Sequence, residues 1–175
     1  MSAEFLTHIE SKKYKTRYRT EFITITGDVQ LIIKNSGIKK GIIVIQTHHT
    51  TCGVWVNEDE KNLIGPTEEL GYTADLRKVL DDFANPTLEY GHNDICHRDN
   101  KDGKRNTHLC EPDENGVINE CINGHSHAQA LLIQPSLSLI VEDGKLLLGR
   151  WQEIMLVELD HDRERTVSFL IQGEK

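Results

Sequence analysis

Gly41-Ile42-Ile43-Val44-Ile45, running on through Gln46 into Thr47-His48-His49-Thr50-Thr51, is the stretch on which the fold turns. Four consecutive β-branched residues form a strand, and an apolar run without polar alternation predicts one buried on both faces. The strand delivers its chain directly into two histidines, and strand ends are where sites are often built. Neighbouring strand residues point to opposite faces, so only one of His48 and His49 is expected to enter a given pocket.

Upstream, Lys13 to Thr20 alternates strictly, with Lys13, Lys15, Arg17 and Arg19 on one face and Tyr14, Thr16, Tyr18 and Thr20 on the other. That basic face reads either as a ribbon facing phosphate or nucleic acid, or as an outer strand whose charges block edge pairing. Twenty basic residues against 28 acidic ones give a net charge of −8, which favours the second reading and makes nucleic acid an unlikely partner. Glu21 to Thr26 continues as a second strand. Asp28 is then expected to cap a short helix carrying Val29, Ile32 and Ile33 on one face, stopped at Asn35-Ser36-Gly37.

Downstream, Cys52 to Asn57 reads as a strand. Thr73 is expected to cap a helix with Leu76, Val79, Leu80 and Phe83 on one face, ended by Asn85-Pro86. Further strands are expected over Ala128 to Ile133, Ser136 to Val141, Lys145 to Leu148, Glu153 to Leu159 and Thr166 to Ile171, with Asp143-Gly144 as a hairpin turn. Strands and helices that segregate rather than alternate predict an α+β fold: a large mixed or antiparallel sheet with two or three helices, in a single domain over residues 1–175. At 175 residues, 37% hydrophobic and 27% charged, the chain has the composition of an ordinary globular domain. It contains no apolar run long enough to span a bilayer, and no export signal opens it, so no membrane partner and a cytoplasmic location are expected.

Composition turns polar between about residues 93 and 123, which reads as an insertion. Its Cys96, His97, His108, Cys110, Cys121 and His125 match no zinc-finger spacing. Glu111 to Gly116 mimics the start of a calcium loop, but Ile122 stands where a bidentate Glu is needed. A reducing compartment argues against disulfides, and Cys52 is expected to be a buried thiol rather than a nucleophile.

Nine histidines make imidazole the side chain to follow. His125 and His127, two apart, would share a face if that segment were extended, the geometry by which a strand gives a metal two ligands. His92 lies in Tyr90-Gly91-His92-Asn93-Asp94, with a carboxylate two residues on that suits an outer-shell role. Spacing alone leaves a metal site and ordinary hydrogen-bonded histidines both open.

The ordered series His49-Thr50-Thr51, Asn57-Glu58, Tyr90-x-His92-Asn93-Asp94, Asn123-Gly124-His125-Ser126-His127, Ser136, Gly149-x-Trp151-Gln152, Glu158 and the stretch from Arg165 to Gly173 resembles the YjbQ-like family, whose members are often labelled secondary thiamine-phosphate synthases. The resemblance runs from about Lys13 to Gly173, and the segment between His92 and His127 is longer here than is usual. It implies a homotrimer with a site built on His49, His92 and His127 as ligands of a divalent metal, zinc above all. Three imidazoles with an open position would make such a centre catalytic. Glu58 and Asp94 would be the acid/base candidates, and Asn57, Ser136, Trp151, Gln152 and Arg165 the substrate contacts. The implied activity is a weak transfer that joins hydroxymethylpyrimidine diphosphate to thiazole phosphate and releases pyrophosphate, magnesium accompanying the diphosphate. The substrate class is thus small and phosphorylated; the alternative is a non-catalytic trimeric module that binds metal or regulates.

Overall fold

The computed structural model describes residues 4–66, 70–94, 114 and 121–175. Eight strands form two antiparallel sheets: β1 (Phe5–Lys15), β2 (Glu21–Thr24), β3 (Lys40–Thr47), β4 (Cys52–Asn57), β5 (Ser136–Glu142), β6 (Lys145–Leu146), β7 (Glu153–Glu158) and β8 (Glu164–Glu174). The larger sheet is ordered β1-β8-β3-β5-β6 and the smaller β2-β7-β4. The helices are α1 (Thr26–Ser36), the short α2 (Lys61–Ile64), α3 (Asp75–Phe83) and α4 (Gly124–Gln129), with a 3₁₀ turn at Gly91–Asn93. The α+β class stands, with two antiparallel sheets in place of one large one. No helix among the described residues is long and apolar enough to cross a membrane.

Period-2 alternation in β8 turns Val167, Phe169 and Ile171 inward, where they are fully buried against Ile43 and Ile45 of β3 and Val29, Ile32 and Ile33 of α1. The smaller sheet closes this core with Ile154 and Leu156 of β7 and Val54 of β4. On the other face of β7, Met155 and Val157, with Leu159 just beyond the strand, join a second cluster with Leu80 and Ile133. The strand buried on both faces is therefore β7 rather than β3. In β3 the second face is open: Ile42 is 37% exposed, and Ile9 of β1 and Ile140 of β5, on the same side of the sheet, are 66% and 58% exposed. Helix α1 covers one face of the larger sheet, and no described element covers the other at these residues.

Several local expectations need correction. The basic alternation belongs to a strand that begins earlier and ends at Lys15. Thr16 leaves the sheet because its hydroxyl is buried, accepting the Arg163 N–H at 2.7 Å and lying 3.2 Å from Glu158 Oε2. Past that point Arg17 pairs with Glu21 and Arg19 with Asp81, so half of the supposed basic face is neutralised locally. Ala128 to Ile133 is no strand: its first residues end α4 and the rest is turn, with Leu131 80% exposed. Ala, Gln and Leu are helix formers, and a short apolar run does not by its pattern distinguish the two structures. Ala74, not Thr73, occupies the N-cap of α3, whose Val79 and Phe83 are left half-exposed. Cys121 is disulfide-bonded, against the expectation of free thiols, whereas Cys52 is a buried free thiol. Cys96, His97, His108, Cys110 and most of the calcium-like loop lie outside the described residues.

Asp28 sits inside the first turn of α1 rather than capping it, since Ile25 holds the N-cap. Its carboxylate accepts from Lys12 Nζ at 2.9 Å and from the Tyr14 hydroxyl at 2.8 Å, tying β1 to the helix. The Lys12 hydrogen bond is the chief cause holding this carboxyl below its ordinary value of 3.8; the Tyr14 bond adds to it and partial burial opposes it. A depressed acid stabilises the fold above its unfolded pKa, and that contribution is lost as pH falls through the folded value. Asp28→Asn is expected to lower stability by about 0.5–1 kcal/mol at neutral pH, the pair being partly exposed. The difference in melting temperature from the parent should narrow as pH falls below the ordinary carboxylate range. At the other end of α1, Gly37 adopts the left-handed conformation (φ 74°) that stops the helix, as expected. Asp143 and Gly144 both take positive φ, 51° and 71°, in the tight hairpin turn between β5 and β6.

Candidate functional site

Beyond β3 the two adjacent histidines diverge. His48 turns to the open sheet face, its Nε2 2.8 Å from Ser168 Oγ, which in turn lies 2.7 Å from Ser11 Oγ. His49 turns toward β8, where its Nε2 accepts the backbone N–H of Thr166 at 2.8 Å. Burial is the main cause lowering the His49 pKa, and the Arg165 guanidinium adds to it.

The His125–His127 segment is helical, so residues two apart project about 200° from each other instead of sharing a face. His125 is buried, 3.1 Å from Ser126 Oγ and with its ring centroid 6.5 Å from that of Tyr90. Burial first, and then Arg19, lower its pKa. His127 points toward the 3₁₀ turn, and its ring lies 4.4 Å from that of His92, tilted by 50°.

Gly124 makes this approach feasible. A Cβ on it would stand 2.5 Å from Tyr90 Cβ and 3.1 Å from Asn93 Oδ1, so only glycine lets the turn seat on the start of α4. The Gly124 N–H donates to Asn93 Oδ1 at 2.9 Å, which holds the contact.

Beneath the two rings runs a polar chain that sequence reasoning did not assign. Asn123 Oδ1 is 3.1 Å from His92 Nε2, and its Nδ2 donates to Asp160 Oδ2 at 2.9 Å. The same carboxylate oxygen accepts from Arg163 Nη2 at 3.0 Å and Nε at 3.2 Å. Asn123 and Asp160 are both buried. Next to them the Ser126 hydroxyl donates to the Leu159 carbonyl at 2.7 Å, fastening α4 to the end of β7. Asn123 stands at the head of a quoted motif, but nothing in the pattern of Asp160-His161-Asp162-Arg163 signals a partner for it.

Arg165, expected to contact substrate, is buried. Its Nε and Nη2 donate to the two carboxylate oxygens of the fully buried Glu158, and Nη2 also reaches Thr51 Oγ1 at 3.1 Å. Glu158 Oε1 further accepts the Asp160 N–H at 2.8 Å. This ion pair ties β8 to β7 next to the turn that joins them. Burial pushes the nearby Cys52 thiol up to about 12, in keeping with an inert side chain.

The remaining expected site residues lie elsewhere. In the β4–β7 ladder Cys52 faces Glu158 at the imidazole end, while Asn57 faces Glu153 at the opposite end. Five residue steps separate the two ends, about 17 Å of strand. Glu58, Trp151 and Gln152 belong to that distant end. Trp151 is 62% exposed on a turn in which Gln152 Oε1 accepts the Gly149 N–H at 2.7 Å, and Arg150 lies 4.8 Å from the indole centroid. Ser136 opens β5 opposite Gln46, and Asp94 follows the 3₁₀ turn with its N–H on the Gly91 carbonyl.

Fit to a metal is partial. His92 directs Nε2 to a hydrogen-bond partner, as ligating imidazoles do, and His127 stands beside it. His49 has its Nε2 electron pair engaged by a backbone N–H. Among the described residues no three His, Cys, Asp or Glu side chains are grouped so as to hold an ion.

Comparison with known proteins places these residues in context. Residues 10–174 match the family described as UPF0047 protein YjbQ-like. A UPF0047 protein of Methanocaldococcus jannaschii is 30% identical over 92% of this chain and 91% of its own length. One from Methanothermobacter thermautotrophicus is 29% identical over 91% of this chain and 88% of its own. Among solved structures, a YbjQ-like protein of unknown function from Sulfolobus solfataricus P2 superposes with a TM-score of 0.75 at 27% identity, covering 98% of this chain and all of the other. A hypothetical protein from Aeropyrum pernix K1 gives 0.72 at 28% identity, covering 95% and 99%.

Proposed function

Because this chain belongs to the YjbQ-like UPF0047 family, we propose that His49, His92 and His127 form the active site of an enzyme acting on a small phosphorylated substrate. The observation that carries this reading is the approach of the His92 and His127 rings to 4.4 Å over a buried, fully hydrogen-bonded Asn123–Asp160–Arg163 chain. Holding two imidazoles together on a buried polar support is costly unless each member is satisfied, and such arrangements concentrate at functional sites.

The reaction we assign is the weak transfer that the sequence resemblance implies. The thiazole nitrogen of the phosphate-bearing acceptor bonds to the methylene carbon of hydroxymethylpyrimidine diphosphate as the carbon–oxygen bond to diphosphate breaks, and pyrophosphate leaves. His49, neutral and with Nε2 occupied, carries its proton on Nδ1 and donates from that atom to an anionic oxygen. His92 and His127 are the residues that would hold a zinc-type ion, whose chemistry is Lewis-acid stabilisation of phosphate oxygens, with magnesium accompanying the diphosphate. The buried Glu158–Arg165 pair keeps the His49 end rigid and takes no direct part.

A homotrimer is part of the same proposal. A closed three-membered ring uses a heterologous interface, in which two different patches of each copy meet. Two uncovered apolar patches suit that requirement: the open sheet face around Ile9, Ile42 and Ile140, and the surface of Val79, Phe83, Leu131 and Leu132. Assembly also gives a route by which Asn57, Glu58, Trp151 and Gln152 of one copy reach the imidazoles of the next.

The test is made on purified protein with the two thiamine precursors, reading pyrophosphate release and bound metal together, with mass by light scattering. The parent is expected as three chains carrying metal. His92→Ala with His127→Ala should remove the metal and lower turnover by about 10²-fold or more. Equal turnover and equal metal content in parent and double variant would dismiss the site.

A further inference from the structure

We infer that Asn123, anchored by Asp160, holds the proton of the His92 ring on Nε2 and so sets the orientation in which that ring enters the site. The argument is one of donors and acceptors. A carboxylate only accepts, and Asp160 Oδ2 is surrounded by Nε and Nη2 of Arg163 and by Nδ2 of Asn123. That contact orients the Asn123 amide, leaving its carbonyl oxygen toward His92 Nε2 at 3.1 Å. A carbonyl oxygen also only accepts, so Nε2 must carry a proton.

Burial makes the orientation binding. Asn123 is 8% and Asp160 5% exposed, so reversing the amide would place its NH₂ against the imidazole and its oxygen against a carboxylate with little water to compensate. The turn that bears His92 is clamped independently through the Gly124 N–H and Asn93 Oδ1. His49 is set in the opposite sense, because Thr166 donates into its Nε2 and leaves the proton on Nδ1. The two imidazoles are thus held in opposite senses at Nε2, a donor in His92 and an acceptor in His49. Asn123 and Asp160 are positioning residues, acting through His92 rather than on the substrate. The functional use of this arrangement rests on the reading proposed above, but the Nε2 proton itself does not.

The test uses the full chain labelled with ¹⁵N and long-range proton–nitrogen correlations of the histidine rings at mildly alkaline pH, His92 being assigned by the signals lost in His92→Gln. The parent is expected to show a proton-bearing Nε2. In Asp160→Asn the amide loses its fixed sense, and both His92 nitrogens should move toward averaged shifts while the backbone spectrum stays dispersed. A parent His92 whose Nε2 carries no proton overturns the inference, as do unchanged ring shifts in folded Asp160→Asn. The parent spectrum decides even if that variant does not fold. No substrate is present, so a negative result here and a failed turnover assay are separate outcomes.

Discussion

Arg165→Met is expected to destabilise the protein by about 3–5 kcal/mol, the range seen when one partner of a buried ion pair is removed. Glu158 is wholly buried, and among the described residues its carboxylate would keep the Thr16 hydroxyl and the Asp160 N–H as partners once both guanidinium bonds are gone. For a chain of this size that corresponds to a fall in melting temperature of roughly 10 °C. The informative comparison is Glu158→Gln with Arg165→Met, in which no uncompensated charge remains. The double variant should recover most of the loss, since a buried pair exchanged for neutral groups of similar volume is often close to neutral in energy. Urea unfolding of the four proteins in the cycle measures this. A single variant as stable as the parent would mean that Arg165 is not what holds Glu158 in the core.

Gly124→Ala is the second large effect, and it falls on the site. The added methyl would lie 2.5 Å from Tyr90 Cβ, closer than carbon atoms approach, so the 3₁₀ turn must lift from α4. Overpacking of this kind costs about 1–3 kcal/mol. Because the shifted turn carries His92, the separation of its ring from His127 should increase and the Asn123 contact should lengthen. Ring-current shifts of the two imidazoles, recorded beside thermal unfolding, report both consequences. Native ring shifts in a folded Gly124→Ala protein would show that the turn has room to spare.

The sheet strands were legible wherever one face is buried and the other is not, because alternation then survives in the residue pattern. In β8, Val167, Phe169 and Ile171 announce their face in this way. The apolar run of β3 misleads because Ile42 is apolar yet lies on an uncovered face, and monomer burial is not what selects it. In the site, the segments that supply His49, His92 and His127 could be named in advance from their motifs. Their relation could not, since it depends on whether residues 124–129 coil. A helix there separates His125 from His127 and brings Asn123 under His92, two facts that no two-residue spacing encodes. The placing of Arg165 was likewise illegible: an arginine near a strand start reads the same whether its guanidinium faces solvent or a buried glutamate.

The place of β8 between β1 and β3 governs how the polypeptide can acquire its shape during synthesis. Phe5 pairs with Glu174 and Lys40 with the same residue, so β8, an interior strand of the larger sheet, is the last of the described strands to leave the ribosome. Until then the early strands wait with unsatisfied edges on either side of a gap, and closure must bring together residues from opposite ends of the chain. Such non-local pairing slows folding and prolongs the exposure of unpaired strand edges.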